Sequence, residues 1–126
     1  MFTNKVEVLN MARAMAAHAA ARQGQVARNV ANADTPGYRA RHLPDFAEVW
    51  EGRGQAMRAT REGHLGGAGR IAVTAVVDAR HQSPNGNSVS LEAEMMAAAE
   101  ARQTHDWALA IHRTLSGSIR STLGRR

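Results

Sequence analysis

Six histidines and eleven acidic residues are the groups in this chain that could move protons or hold a metal ion, and their spacing argues against both uses. His105 and His112 lie seven apart, two helical turns, and share a face. That places their imidazoles about 10 Å apart, too far for one ion; helical metal pairs more often use three- or four-residue spacing, as in H-E-x-x-H. They read better as two seam or interface histidines. His18, His42, His64 and His81 sit in unrelated contexts. Glu92 and Glu94 are two apart on a helix and do not face one another. The run Gly63-His-Leu-Gly-Gly-Ala-Gly follows no convincing strand, and the strings G-x-S-x-G, G-x-x-x-x-G-K-[ST] and G-x-G-x-x-G do not occur. The chain has no cysteine, which excludes disulfides, thiolate metal sites and cysteine nucleophiles. No nucleophile, base and oxyanion donor come together. The expectation is a protein without catalytic, metal or cofactor-binding residues.

The elements that position side chains must be built mostly from small aliphatic residues. There are 126 residues, with two tryptophans, one tyrosine and two phenylalanines, enough for one domain with a modest core. Alanine contributes little apolar area, and burial scales with area, so a core completed by partners is expected. The formal charge is +5, from 16 basic and 11 acidic residues, with no dense basic block. Nucleic-acid binding needs a basic face or stripe, and none stands out. A secretory signal needs an uninterrupted apolar stretch, but Arg13 and His18 interrupt residues 11–21. No run approaches the ~20 apolar residues that span a bilayer. Neither membrane insertion nor a cleavable signal is expected.

Periodicity predicts two long helices. Leu9, Ala12, Ala16, Ala19, Gln23, Val26 and Val30 step alternately by three and four, the spacing of a coiled-coil seam. A helix from about residue 4 to about residue 32 would be roughly 40 Å long. Pro84-Asn85-Gly86-Asn87 is turn chemistry. Ser90 then suits an N-cap, with Glu92 and Glu94 in the first turn. The second stripe is Leu91, Met95, Ala98, Ala101, Ala108, Ile111, Leu115, Ile119 and Leu123. The two seams are expected to pair, with Leu9, Ala12, Ala16, Ala19, Val26 and Val30 facing Leu91, Met95, Ala98, Ile111, Leu115 and Ile119. The fold class is therefore mainly α: residues 1–34 and 86–126 form a paired-helix, coiled-coil-like domain, and residues 35–85 a flexible, loop-rich middle. Within that middle, a helical turn after Pro44 would place Phe46, Val49 and Trp50 on one side. Residues 51–70 are glycine-rich. Residues 71–78 are β-branched enough for a short strand, and loop, hairpin and partial disorder all remain open.

The stretch Asn29-Val-Ala-Asn-Ala-Asp-Thr-Pro-Gly-Tyr-Arg-Ala-Arg41 ends the first helix and carries the strongest local signal. Asn32 is a candidate left-handed residue past the helix end. Thr35 precedes a proline and is pushed out of the helical region. Pro36-Gly37 suits the central positions of a type II turn. Tyr38 then leaves the turn in a defined direction, flanked by Arg39 and Arg41; an amphipathic ring there suits partner contact.

This stretch resembles the signature at the end of the first helix in bacterial flagellar rod and hook proteins, the axial family. Two further stretches, Thr60-Arg-Glu-Gly-His-Leu65 and Gly86-Asn-Ser-Val-Ser-Leu-Glu-Ala-Glu-Met95, resemble its short proximal-rod members. The family usually has a tyrosine in the first half of the last helix, where this chain has His105 and Trp107. The resemblance implies that the terminal helices pair and pack into a helical tube, the drive-shaft rod that crosses the periplasm. It implies export by the flagellar type III apparatus, without a cleavable signal. Implied partners are further copies, the other rod proteins, the membrane ring and the protein joining rod to ring and export gate. The implied assembly motif is Asn29, Asn32, Asp34, Thr35, Pro36, Gly37, Tyr38, Arg39 and Arg41. The alternatives are a distal-rod or hook sibling, generally longer than this chain, and a small basic helical nucleic-acid binder.

Overall fold

The computed structural model describes residues 2–52, 74–78 and 83–124. Residues 53–70 of the glycine-rich stretch, with the Thr60–Leu65 motif and His64, lie outside the described residues, as do His81 and the first three residues of the expected 71–78 strand. Two long helices make the frame: α1, Phe2–Ala31, and α3, Leu91–Leu123. Between them in sequence lie β1 (Arg41–His42), α2 (Phe46–Gly52) and β2 (Val76–Val77). The two strands pair antiparallel, Arg41 opposite Val77 and His42 opposite Val76.

α1 and α3 pack along their lengths in antiparallel fashion. Bridges between them run along the pair: Lys5 Nζ reaches Ser118 Oγ at 3.5 Å, Arg13 Nε donates to His112 Nε2 at 3.3 Å, and Arg22 pairs with Glu100 at 2.9 Å. These contacts are at least partly exposed and contribute at most about 1 kcal/mol each. His112 thus meets the opposite helix, while His105 is half-buried with Nδ1 3.9 Å from its neighbour Asp106.

Burial between the helices falls at seven-residue steps on both sides: Ala12, Ala19 and Val26 on α1, and Glu94, Ala101 and Ala108 on α3. Seven-residue spacing keeps one stripe facing the partner along a helix pair. Leu9, Ala16, Ala98, Leu115 and Ile119 are half-buried. The expected seam needs correction at four positions: Val30, Leu91, Met95 and Ile111 are all exposed, Met95 at 72%. The cause is rotational. The expected stripe runs through the large apolar residues at 91 and 95, whereas α3 turns Glu94 inward, and at 100° per residue Met95 then points well away from α1.

Local chemistry sets the element ends. The Ser90 hydroxyl caps α3 by accepting from the Ala93 amide, and Glu92 and Glu94 occupy its first turn. Gly124 closes the far end, its amide bonding the Arg120 carbonyl. α2 begins after Asp45, whose carbonyl accepts from the Val49 amide. The Phe46 and Trp50 rings meet at a tilt with centroids 5.6 Å apart, and Phe46 also meets His18 of α1 at 5.7 Å. His18 is buried, with Nε2 2.9 Å from the Pro44 carbonyl, so it ties α2 to α1. No helix among the described residues is long and apolar enough to cross a membrane.

Candidate functional site

The site is the corner where the chain leaves α1, lies against the segment leading into α3, and brings residues 29–41 onto residues 83–94. Its centre is Asn29, fully enclosed at 0% exposure. The Asn29 Nδ2 donates to the Arg41 carbonyl and to Glu94 Oε1, both at 2.9 Å. Its Oδ1 accepts from the Arg41 amide at 3.2 Å, from Gln25 Nε2 at 3.2 Å and from the Tyr38 hydroxyl at 3.3 Å. Three donors on one oxygen share its lone pairs, which fits their length. The paired bonds to Arg41 use the two backbone groups that β1 turns away from β2, so the Asn29 carboxamide replaces a neighbouring strand.

Glu94 is enclosed at 1% exposure, and its Oε2 has no hydrogen-bond partner. His42 Nε2 stands 3.5 Å from Glu94 Oε1 and 3.6 Å from Asp78 Oδ2, within ion-pair reach. No group suited to hold a metal ion occurs among the described residues.

The end of α1 departs from expectation. No described residue other than glycine has a positive φ, so Asn32 is not a left-handed cap. Instead the helix unwinds through tight turns, with the Asn32 amide on the Asn29 carbonyl and the Ala33 amide on the Val30 carbonyl. The Asn32 side chain donates back to the Arg28 carbonyl at 2.8 Å. The cap comes from far along the chain: Asn87 Nδ2 lies 3.0 Å from the Asn32 carbonyl, 2.7 Å from that of Ala33 and 2.8 Å from that of Thr35. Carbonyls left over at a helix end need donors, and a buried carboxamide provides them.

The two turns dock against each other. Pro36 and Gly37 occupy the centre of a turn closed by the Tyr38 amide on the Thr35 carbonyl, with Gly37 at φ +73° as a type II turn requires. Gly86, at φ +79°, lies so close that a Cβ there would sit 3.4 Å from the Gly37 Cα. The Gly37 amide donates to the Asn85 carbonyl and the Ser88 amide to the Tyr38 carbonyl, both at 3.0 Å. The Ala40 amide donates to Ser88 Oγ at 2.8 Å.

Of the nine motif residues, Asn29, Asn32, Thr35, Pro36, Gly37 and Tyr38 thus build the corner. Thr35 Oγ1 also bonds Asn32 Oδ1 at 3.3 Å. Asp34, Arg39 and Arg41 have exposed side chains. Tyr38 differs from its expected outward aim: it is half-buried and its hydroxyl turns inward to Asn29. Sequence reasoning misses the roles of Gln25 and, although they fall within the 86–95 stretch, of Asn87, Ser88 and above all Glu94. The one available signal was its seven-residue spacing from Ala101 and Ala108.

A shallow depression of about 430 Å³ opens on the outer side of the corner, lined by Gln25, Arg28, Gly37, Tyr38, Arg39, Arg41 and Val77. Away from the corner, α3 shows large apolar side chains to solvent, including Met96 and Trp107. These two are eleven apart and share a face.

Compared with known protein families, the chain matches none, and no characterised protein shows significant similarity to it. The fold that the geometry defines is mainly helical, two long terminal helices packed on each other and joined by a loop-rich middle with a two-stranded antiparallel ladder.

Proposed function

We propose that this chain is a structural subunit of the bacterial flagellar proximal rod, of the kind represented by FlgB, and that it polymerises with other rod proteins into the helical drive shaft. The observation that carries the reading is the fit between the two stretches on which the resemblance rests. Residues 29–41 and 86–95 are far apart in sequence, yet Asn29 meets Glu94 and Asn87 caps the end of α1. Stretches that separately resemble the axial family are here parts of one interlocking corner. The alanine-rich seam supports the reading in a second way, because it leaves large apolar side chains such as Met95, Met96 and Trp107 free for neighbours.

On this reading the partners are further copies, the other rod proteins, the membrane ring with its junction protein, and the flagellar type III export apparatus. The location is the periplasmic rod. The subunit acts by packing and transmits torque; it performs no chemistry. The test is deletion of its gene in the organism that encodes it, followed by swimming assays and electron microscopy of isolated basal bodies. Loss of motility with rods missing, restored by the intact gene, is expected. Normal swimming with complete basal bodies would overturn the reading.

A further inference from the structure

Three arginines stand on the corner without a counter-charge among the described residues. Arg28, Arg39 and Arg41 are exposed, line one shallow depression with Tyr38 and Gln25, and take part in no ion pair among the described residues. Their placement is imposed by the backbone: the Pro36-Gly37 turn and the Asn29–Arg41 pairing fix where Arg39 and Arg41 leave the chain. Guanidinium groups crowded around a concave surface repel one another, and planar forks suit carboxylates.

The complementary surface lies on the same chain. Asp45, Glu48 and Glu51 recur every third residue at and along α2, all three exposed and likewise in no ion pair among the described residues. On a helix such spacing places them on one side, away from Phe46 and Trp50, which are half-buried and in ring contact with each other, Phe46 also meeting His18. The three acids therefore form an outward edge at a fixed position on the pair of long helices.

We propose that the arginine-lined depression of one copy receives the acidic edge of α2 from a second copy. Donor and acceptor surfaces differ, so the contact is head-to-tail, and repeating it builds an open chain of subunits unless the rotation happens to close. This rests on the rod reading for its biological setting, but the contact itself depends only on the two charged surfaces.

Sedimentation velocity of the purified full chain at about 25 mM and about 500 mM salt tests it, with circular dichroism to verify that every variant keeps its helices. Wild type should self-associate at low salt and weaken roughly tenfold or more at high salt, where exposed charges are screened. The variants R39E/R41E and E48K/E51K should each stay monomeric. Mixed in equal amounts they should associate again, because each then offers the surface the other lost. The neutral variant R39Q/R41Q should also lose association, which guards against a fold disturbed by charge reversal. Wild type that stays monomeric at low salt, or variants that fail to restore association when mixed, would overturn the proposal. Restored association together with normal swimming of the deletion strain would keep this contact and overturn the rod reading. Loss of rods without charge-swap rescue would do the reverse.

Discussion

The Asn29 carboxamide donates to the Glu94 carboxylate at 2.9 Å across the two long helices, and neither side chain reaches solvent. A buried carboxylate is costly unless its oxygens are satisfied, and here only Oε1 is bonded while Oε2 has no hydrogen-bond partner. Replacing the acid by its amide should therefore cost little. Glu94→Gln keeps an acceptor for Asn29 and removes the charge, so urea denaturation should find stability within about 1 kcal/mol of wild type. Glu94→Ala should lose about 2–4 kcal/mol, since it opens a cavity and strips Asn29 of an acceptor.

Asn29→Ala should be the most damaging substitution at the corner, at about 3 kcal/mol or more. It leaves Glu94 enclosed without its donor and frees both backbone groups of Arg41. Combined with Glu94→Ala, the loss should fall well short of the sum, because the partner left unsatisfied in each single variant is gone in the double one. Additive losses in the same denaturation experiment would show that the two residues act separately.

Asn87→Ala removes the donor shared by the carbonyls of Asn32, Ala33 and Thr35. A lost cap typically costs about 1–2 kcal/mol, and the effect should be local as well as global. Amide hydrogen exchange should speed up at residues 29–35 while the middle of α3 keeps its protection. Uniform acceleration along both helices would contradict a capping role.

Gly37→Ala should cost about 1–2 kcal/mol through the positive φ alone, because open space surrounds the position. Gly37→Asn should cost less, since asparagine tolerates the left-handed region better. Thermal melts of the two variants give the order directly.

Tyr38→Phe should be nearly neutral for stability, as Asn29 Oδ1 retains two other donors. On the proposed rod function, Tyr38→Ala should impair rod assembly while leaving export intact, because Tyr38 lines the depression beside Arg39 and Arg41. Export is read from the culture medium by immunoblot, and assembly from basal bodies by microscopy. Wild-type basal bodies in the Tyr38→Ala strain would refute this.

The long elements were legible in the sequence because their signals are local. Alternating steps of three and four announce α1, an apolar stripe behind Ser90 announces α3 and its cap, and Pro36-Gly37 announces a turn that the structure holds with Gly37 at φ +73°. What was not legible depends on partners distant in the chain. Glu94 is enclosed opposite Asn29, 65 residues away, and its neighbourhood hints at this only through the seven-residue spacing to Ala101 and Ala108. The same holds for Asn87, which reads as turn chemistry until the end of α1 lies against it. The stripe on α3 was drawn through Leu91 and Met95 because large apolar residues are the usual guide to burial. Alanine is what the seam uses here, and alanines occur on every side of both helices.

Methyl groups repeated every seventh residue make a poor ruler. If α3 slid along α1 by two turns, Ala101 would stand where Ala108 stood, and the seam would register little difference. The information that forbids such a slip is concentrated at one end, where Asn29, Asn87 and Glu94 have one arrangement that meets their bonding needs. The two helices are thus indexed at the corner and merely guided along the remainder. Two amides and a single carboxylate set the alignment of a helix pair more than thirty ångströms long, at about 1.5 Å per residue.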